Sequence, residues 1–207
     1  MRIPMLVVAG LISALTSVLP AIAADTPAPA PTRIRGTIDA FEGSTLAVTA
    51  HDGTKLKIAL APGFIVGTLK KADLADIKPG DFIGSAAMKN KDGKLVALEV
   101  HIFPEAMRGT GEGQRPWDSG PDSSMTNATV GEVTSLSEGG RTLSLTYKGG
   151  QAVIEVPQDV PVVTFAPGDP SMLVPGRAVI LFAAQQADGT LAAARVTVES
   201  GGVKPPM

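Results

Sequence analysis

The sequence predicts an all-β chain folded as two tandem five-stranded barrels, each with one short helix or turn. Three observations carry this expectation. Residues 35–103 and 130–198 repeat one pattern at an offset of about 96 positions. FIGSAAMKNKDGKLVALEVHI (82–102) aligns without a gap on AVILFAAQQADGTLAAARVTV (178–198), IKPGD (77–81) falls on LVPGR (173–177), and RGTIDAF (35–41) on VGEVTSL (130–136). Apolar residues in each copy alternate with period two, the mark of half-buried strands. Turn residues punctuate the strands at Asp52-Gly53, Asp92-Gly93, Gly149-Gly150 and Asp188-Gly189.

Each element has its own signal. Gly36 and Gly131 sit inside the first strand of their copies, where glycine marks a sharp bend, as at a barrel corner. Leu46, Val48 and Ala50 alternate, and so do Leu56, Ile58 and Leu60. A three-residue loop, His51-Asp52-Gly53, pairs Val48 with Leu56 and Leu46 with Ile58, which puts both sets on one core. In the second copy a two-residue turn at Gly149-Gly150 pairs Leu145 with Ile154 and Leu143 with Val156. A short apolar stretch follows in each copy (Phe64-Ile65-Val66; Val162-Val163), then a brief helix or turn. In copy one this covers roughly Lys70–Ile77; in copy two Asp169-Pro170 reads as N-cap and first helical residue. Pro79-Gly80 and Pro175-Gly176 restart the sheet. In the last hairpin Phe82, Gly84, Ala86 and Met88 are expected to face the core with Val96, Leu98, Val100 and Ile102. The counterparts in copy two are Ala178, Ile180, Phe182 and Ala184 against Val198, Val196, Ala194 and Ala192.

A coiled first strand, a hairpin, a short helix and a closing hairpin describe an OB-like five-stranded barrel. On the strand glycine, the central Pro-Gly and the closing Asp-Gly hairpin, both copies resemble the exported bacterial OB-like domain of unknown function that often occurs in tandem. Proteins of this kind are sometimes labelled as components of metal transport. For this chain the resemblance implies at most a soluble accessory, because no stretch beyond the N-terminal apolar run could cross a bilayer.

The N-terminus reads as an export signal. Arg2 precedes an apolar run from Met5 to Leu19, and Ala21-Ile22-Ala23 ends it in small-x-small form. The expected organisation is a signal peptide at 1–23, a Pro/Ala tether at 24–32, an OB-like domain at 33–103, an inter-domain strap at 104–126 and a second OB-like domain at 127–200. The expected location is the bacterial periplasm. The chain has no cysteine, which removes disulfide and thiol chemistry. Its net charge is −2 and only 4% of its residues are aromatic. OB folds that take oligonucleotides need basic grooves and stacking rings, so no nucleic-acid partner is expected.

The segment PEAMRGTGEGQRPWDSGPDSSMT (104–126) breaks the repeat. Connections of this length without apolar periodicity are usually functional or disordered. It carries the only tryptophan, Trp117, with Arg108, Arg115 and the acids Glu105, Glu112, Asp118 and Asp122. Three readings follow: a solvated connector, an ordered strap joining the domains through arginine–carboxylate pairs, or a binding site using Arg108, Arg115 and Trp117 with Glu105, Glu112 and Asp118. GTGEG is not a phosphate loop, since it opens no helix and lacks the Lys-Ser/Thr ending.

The remaining chemistry is sparse. His101, Met107 and Glu105 form a candidate metal set, although without diagnostic spacing; His51 reads as a turn residue. No serine has a nucleophile-elbow context. Glu105, Glu112 and Asp118 would support glycoside chemistry only if they converged. The expected function is therefore non-catalytic binding, without an obligate cofactor, of an unknown protein or small ligand in the cell envelope. The alternatives are a metal-binding accessory to envelope metal transport or homeostasis and, third, an uncharacterised hydrolase.

Overall fold

The structure, a computed structural model, describes residues 30–205. The expected signal peptide, and all but the end of the expected tether, lie outside the described residues. The chain is all-β, as expected. Its strands are β1 (Thr32–Glu42), β2 (Thr45–Ala50), β3 (Lys55–Ala72), β4 (Phe82–Lys89), β5 (Leu95–Ile102), β6 (Gly113–Pro116), β7 (Ser123–Ser135), β8 (Arg141–Tyr147), β9 (Gly150–Val156), β10 (Val162–Pro167), β11 (Ala178–Gln185) and β12 (Leu191–Val198). Among the described residues no helix is long and apolar enough to cross a membrane.

The first hairpin has the expected register. Val48 lies opposite Leu56 and Leu46 opposite Ile58, and Gly53 takes the positive φ that the three-residue loop demands. In the second copy Tyr147 pairs with Gly150, so the turn is Lys148-Gly149. Leu145 then meets Ala152 and Leu143 meets Ile154. The shift from the expected pairs is two residues, an even slip, and so the same side chains still face inward.

The closing hairpins differ from expectation by one residue, and the cause is a bulge. Met88 meets Val96 as expected, but Leu98 is an extra residue between the pairs Ala87–Ala97 and Ala86–Glu99. Beyond it Ser85 opposes Val100 and Ile83 opposes Ile102. An odd slip exchanges faces. Ile83 and Ala87 enter the core, while Phe82, Gly84 and Ala86 look away from it. The second copy is bulged at the same place, between Leu181 and Ala184. Val179 and Leu181 are therefore inside, and Phe182 is 56% exposed.

The connectors are shorter than expected. β3 continues as strand through Ala72, and only Leu74–Asp76 forms a single 3-10 turn. In the second copy the Asp169 carboxylate accepts the Ser171 N–H at 2.8 Å and Pro170 opens the turn Pro170–Met172. This is the capping the sequence indicates.

The largest correction concerns which strands share a core. β1, β2 and β3 of copy one form a closed barrel with β11 and β12 of copy two, through β1–β11 pairing and a parallel β12–β3 contact. Its core joins Ile34, Ile38, Leu46, Val48, Ile58 and Leu60 to Val179, Leu181, Val196 and Val198. The other hairpin, β4–β5, joins β7, β8 and β9 of copy two: β4 pairs with β7, β7 with β8 and β8 with β9, a parallel contact of β5 with β9 closes the ring, and β10 adds to β5 in parallel. Its core joins Ile83, Ala87, Ala97 and Val100 to Val130, Leu143, Leu145 and Ile154. The two copies have exchanged their closing hairpins. Neither the expected unit 33–103 nor 127–200 holds a complete core. One ring is continuous in sequence, from β4 to β10, and is inserted between the two parts of the other.

The path of β3 explains the exchange. After closing on β12, the strand does not turn back. It runs on through Gly67–Ala72, antiparallel to β10, and at about 3.3 Å per residue this carries the chain roughly 17 Å onward before β4 begins. Phe103 stacks on Phe165 of β10 at 5.1 Å, and Leu69, Phe82, Ala86, Met125 and Val163 are buried without belonging to either core. Phe82, Phe103 and Phe165 form a continuous aromatic contact from β4 to β10.

Candidate binding site at the strap

The strap is ordered by a hairpin. β6 runs antiparallel to the start of β7, pairing Gln114 with Thr126 and Arg115 with Met125. Its tip, Trp117 to Asp122, is closed by the Trp117 N–H to the Ser123 carbonyl (2.9 Å) and by Ser123 Oγ donating to the Trp117 and Gly120 carbonyls. Asp122 takes a left-handed backbone (φ 62°), tolerable for aspartate.

The tip reaches the other ring at β1. Asp118 bridges two guanidiniums: Arg33 at 2.5 Å and Arg35 at 2.9 Å. The Trp117 ring lies under Arg33 at 3.6 Å, with Arg35 at 5.3 Å and Arg115 at 5.7 Å. The local reason is strand alternation. Ile34 is buried in the core, so Arg33 and Arg35 stand together on the outer face. Two like charges so close repel, and one carboxylate and one π-face relieve them.

The electrostatics follow from burial. Desolvation, then the charge of Arg33, lowers the pKa of Arg35 despite the opposing pull of Asp118. Arg115 is lowered by the same two causes and donates to the Gly111 carbonyl at 2.7 Å. Burial pushes Asp118 up, but the hydrogen bond from Arg33 and the charges of Arg35 and Arg33 outweigh it and leave its carboxyl below the ordinary aspartate value. Arg35 Nε and Trp117 Nε1 are buried with no hydrogen-bond partner among the described residues.

A groove of ≈ 540 Å³ opens beside this clamp, lined by Thr32, Arg33, Arg35, His51, Asp52 and Asp118 among others. A second, of ≈ 560 Å³, lies along Gln114, Arg115, Trp117 and Ser124. Trp117 and Asp118 are thus a partition between two open concavities.

The other residues singled out in the sequence are dispersed. Arg108 is bound by Glu105 through two contacts of 2.7 Å and donates to the Gly80 carbonyl. Glu112 accepts the Lys148 N–H at 2.9 Å. Glu105, Glu112 and Asp118 therefore have separate partners and share none. His101 is buried, at 8% exposure. It lies opposite Gly84, which is flanked on its other side by Asn127, and a Cβ at Gly84 would come within 2.8 Å of Asn127 Oδ1. Its carboxylate neighbour is Glu99 at 3.4 Å, not Glu105, and Phe165 meets it edge-on. Among the described residues no group of three or more His, Cys, Asp or Glu is placed to hold a metal ion.

Arg33 and Arg35 are the site residues that sequence reasoning passed over. The signal was present: Arg-Ile-Arg at the start of a strand sets two cations on one face beside a core position. Compared with known proteins, the chain matches no family model, no curated protein and no solved structure.

Proposed function

We propose that this is a non-catalytic binding protein of the cell envelope, whose ligand occupies the groove between the strap tip and β1. One observation carries the reading. Arg33, Arg35 and Asp118, from two segments far apart in sequence, converge at the wall of an open groove, and Trp117 packs against Arg33 beside it. Arginine and tryptophan dominate binding hot spots because they combine apolar area with directed donors. Strand β1 holds one side and the tip is tied to β7 through Ser123, which limits the ordering cost of capture. The envelope location rests on the N-terminal export pattern.

Trp117 is the only tryptophan, so its emission reports on the site without a label. The test is a titration of the purified protein with a panel of amino acids, dicarboxylates, sugars, sugar phosphates and short peptides. The expected result is a saturable change in Trp117 emission for at least one class, abolished by the double substitution Arg33→Ala, Arg35→Ala with the circular dichroism unchanged. No response across the panel, or one that survives the double substitution, contradicts the proposal.

A further inference from the structure

We infer that the groove beside β1 is an oxyanion site and that Asp118 is its built-in surrogate ligand, displaced when a carboxylate or phosphate group enters; this rests on the reading above and names the chemical class of the ligand.

Four features point to it. Asp118 presents one oxygen to each of two guanidiniums, the arrangement in which a paired arginine site takes an external oxyanion. Each guanidinium carries five N–H donors, and Asp118 engages only one terminal nitrogen of each. Arg35 Nε remains buried and has no partner among the described residues, a donor that an anion with further oxygens could engage. The Asp118 side chain is 55% exposed while those of Arg33 and Arg35 are 18% and 12% exposed. The cations are fixed in the wall and the carboxylate is the replaceable partner.

The charge balance agrees. Arg115 has no carboxylate partner among the described residues, donates to the Gly111 carbonyl and lines the neighbouring groove beside Trp117. Two carboxylates remain nearby, Asp52 in its own turn and Glu99 acting on Arg35, against the three arginines Arg33, Arg35 and Arg115. Moving Asp118 aside therefore leaves a groove wall with cations in excess. A tethered carboxylate competes as an intramolecular ligand at an effective concentration in the millimolar range. A free anion prevails by offering more oxygens to the same two forks.

The test titrates Trp117 emission with inorganic phosphate and, separately, with citrate, holding ionic strength constant with sodium chloride. The inference expects a saturable response to at least one anion. It also expects about tenfold tighter binding in Asp118→Asn, where the competing charge is gone, and no response in Arg33→Ala. Saturation with citrate alone assigns a carboxylate ligand; with phosphate alone, a phosphate ligand. No saturable response to either anion overturns the inference, as does weaker binding in Asp118→Asn. If Asp118→Asn does not fold, the wild-type and Arg33→Ala titrations decide. A sugar or other neutral compound that alters Trp117 emission where neither anion does would sink this inference and leave the groove as a binding site.

Discussion

Leu69 lies directly opposite Phe165 in the antiparallel β3–β10 pair, and Phe165 is the residue that the repeat offset of 96 assigns to Leu69. Equivalent residues of the two copies therefore meet, as at a two-fold axis. The ring closures on either side obey the same relation. Ile58 pairs with Leu191 and Val66 with Val196 in one ring; their counterparts Ile154 and Val162 pair with Leu95 and Val100 in the other. The molecule is built like a symmetric dimer that has exchanged hairpins, written on one chain.

The two strand glycines have different duties, and alanine separates them. A Cβ at Gly36 would stand 2.2 Å from the Thr49 carbonyl oxygen, which is backbone and cannot move aside. Gly131 instead occupies a bulge between Val130 and Glu132, and its Cβ would meet the Ser144 oxygen at 3.4 Å. Gly36→Ala should cost about 3 kcal/mol or more and Gly131→Ala about 1 kcal/mol or less. Urea denaturation of both variants checks the contrast.

The Asp118 clamp positions the strap more than it stabilises the fold. Its carboxylate is half in water, where ion pairs contribute about 0–1 kcal/mol. Asp118→Ala should barely move the melting temperature. It should shift Trp117 emission to the red, because the ring loses its fixed place beneath Arg33. An unchanged emission maximum contradicts the clamp.

Acid should open the same contact. The folded-state pKa of Asp118 is depressed, so its contribution is complete above the unfolded carboxylate value and is lost as pH falls through the folded value. Trp117 emission is expected to be flat from neutral pH to about pH 4, the unfolded aspartate range, and to change only below it. Asp118→Asn should remove that acid step. A midpoint above the ordinary aspartate value would refute the assignment.

The strap should resist proteases where it is strand. Gly113–Pro116 is paired with β7 and the tip is tied by Ser123, whereas Gly109 to Glu112 is exposed. Brief proteolysis is expected to cut within 109–112 and to spare 113–124. Rapid cleavage inside 113–124 would show a loose connector.

The strand pattern was legible because period-two alternation and Asp-Gly turns are local. Val48–Leu56 and Leu46–Ile58 could be paired from sequence alone. The bulges at Leu98 and in β11–β12 were not legible, because an extra residue in a long apolar strand leaves no turn signal. The hairpin exchange was illegible for a deeper reason. The copies are alike, so β4–β5 fits the ring of either one, and alternation names the buried face but not its partner. Only the continuation of β3 past Gly67 decides, and Gly67–Ala72 reads as a turn as readily as a strand. At the site, Trp117 and Asp118 stood out by composition. Their partners Arg33 and Arg35 lie more than eighty residues earlier, and no local pattern joins the two.

Dividing the chain tests the hairpin exchange directly. The fragment 72–167 contains β4 to β10, a complete core and its closing strands, but contains neither repeat whole. The fragment 33–103 is one repeat with two strands of one ring and three of the other. With the hairpins exchanged, 72–167 should unfold cooperatively and show a dispersed amide spectrum as a monomer, while 33–103 should not fold as a monomer. A folded, monomeric 33–103 beside an unfolded 72–167 would contradict the exchange.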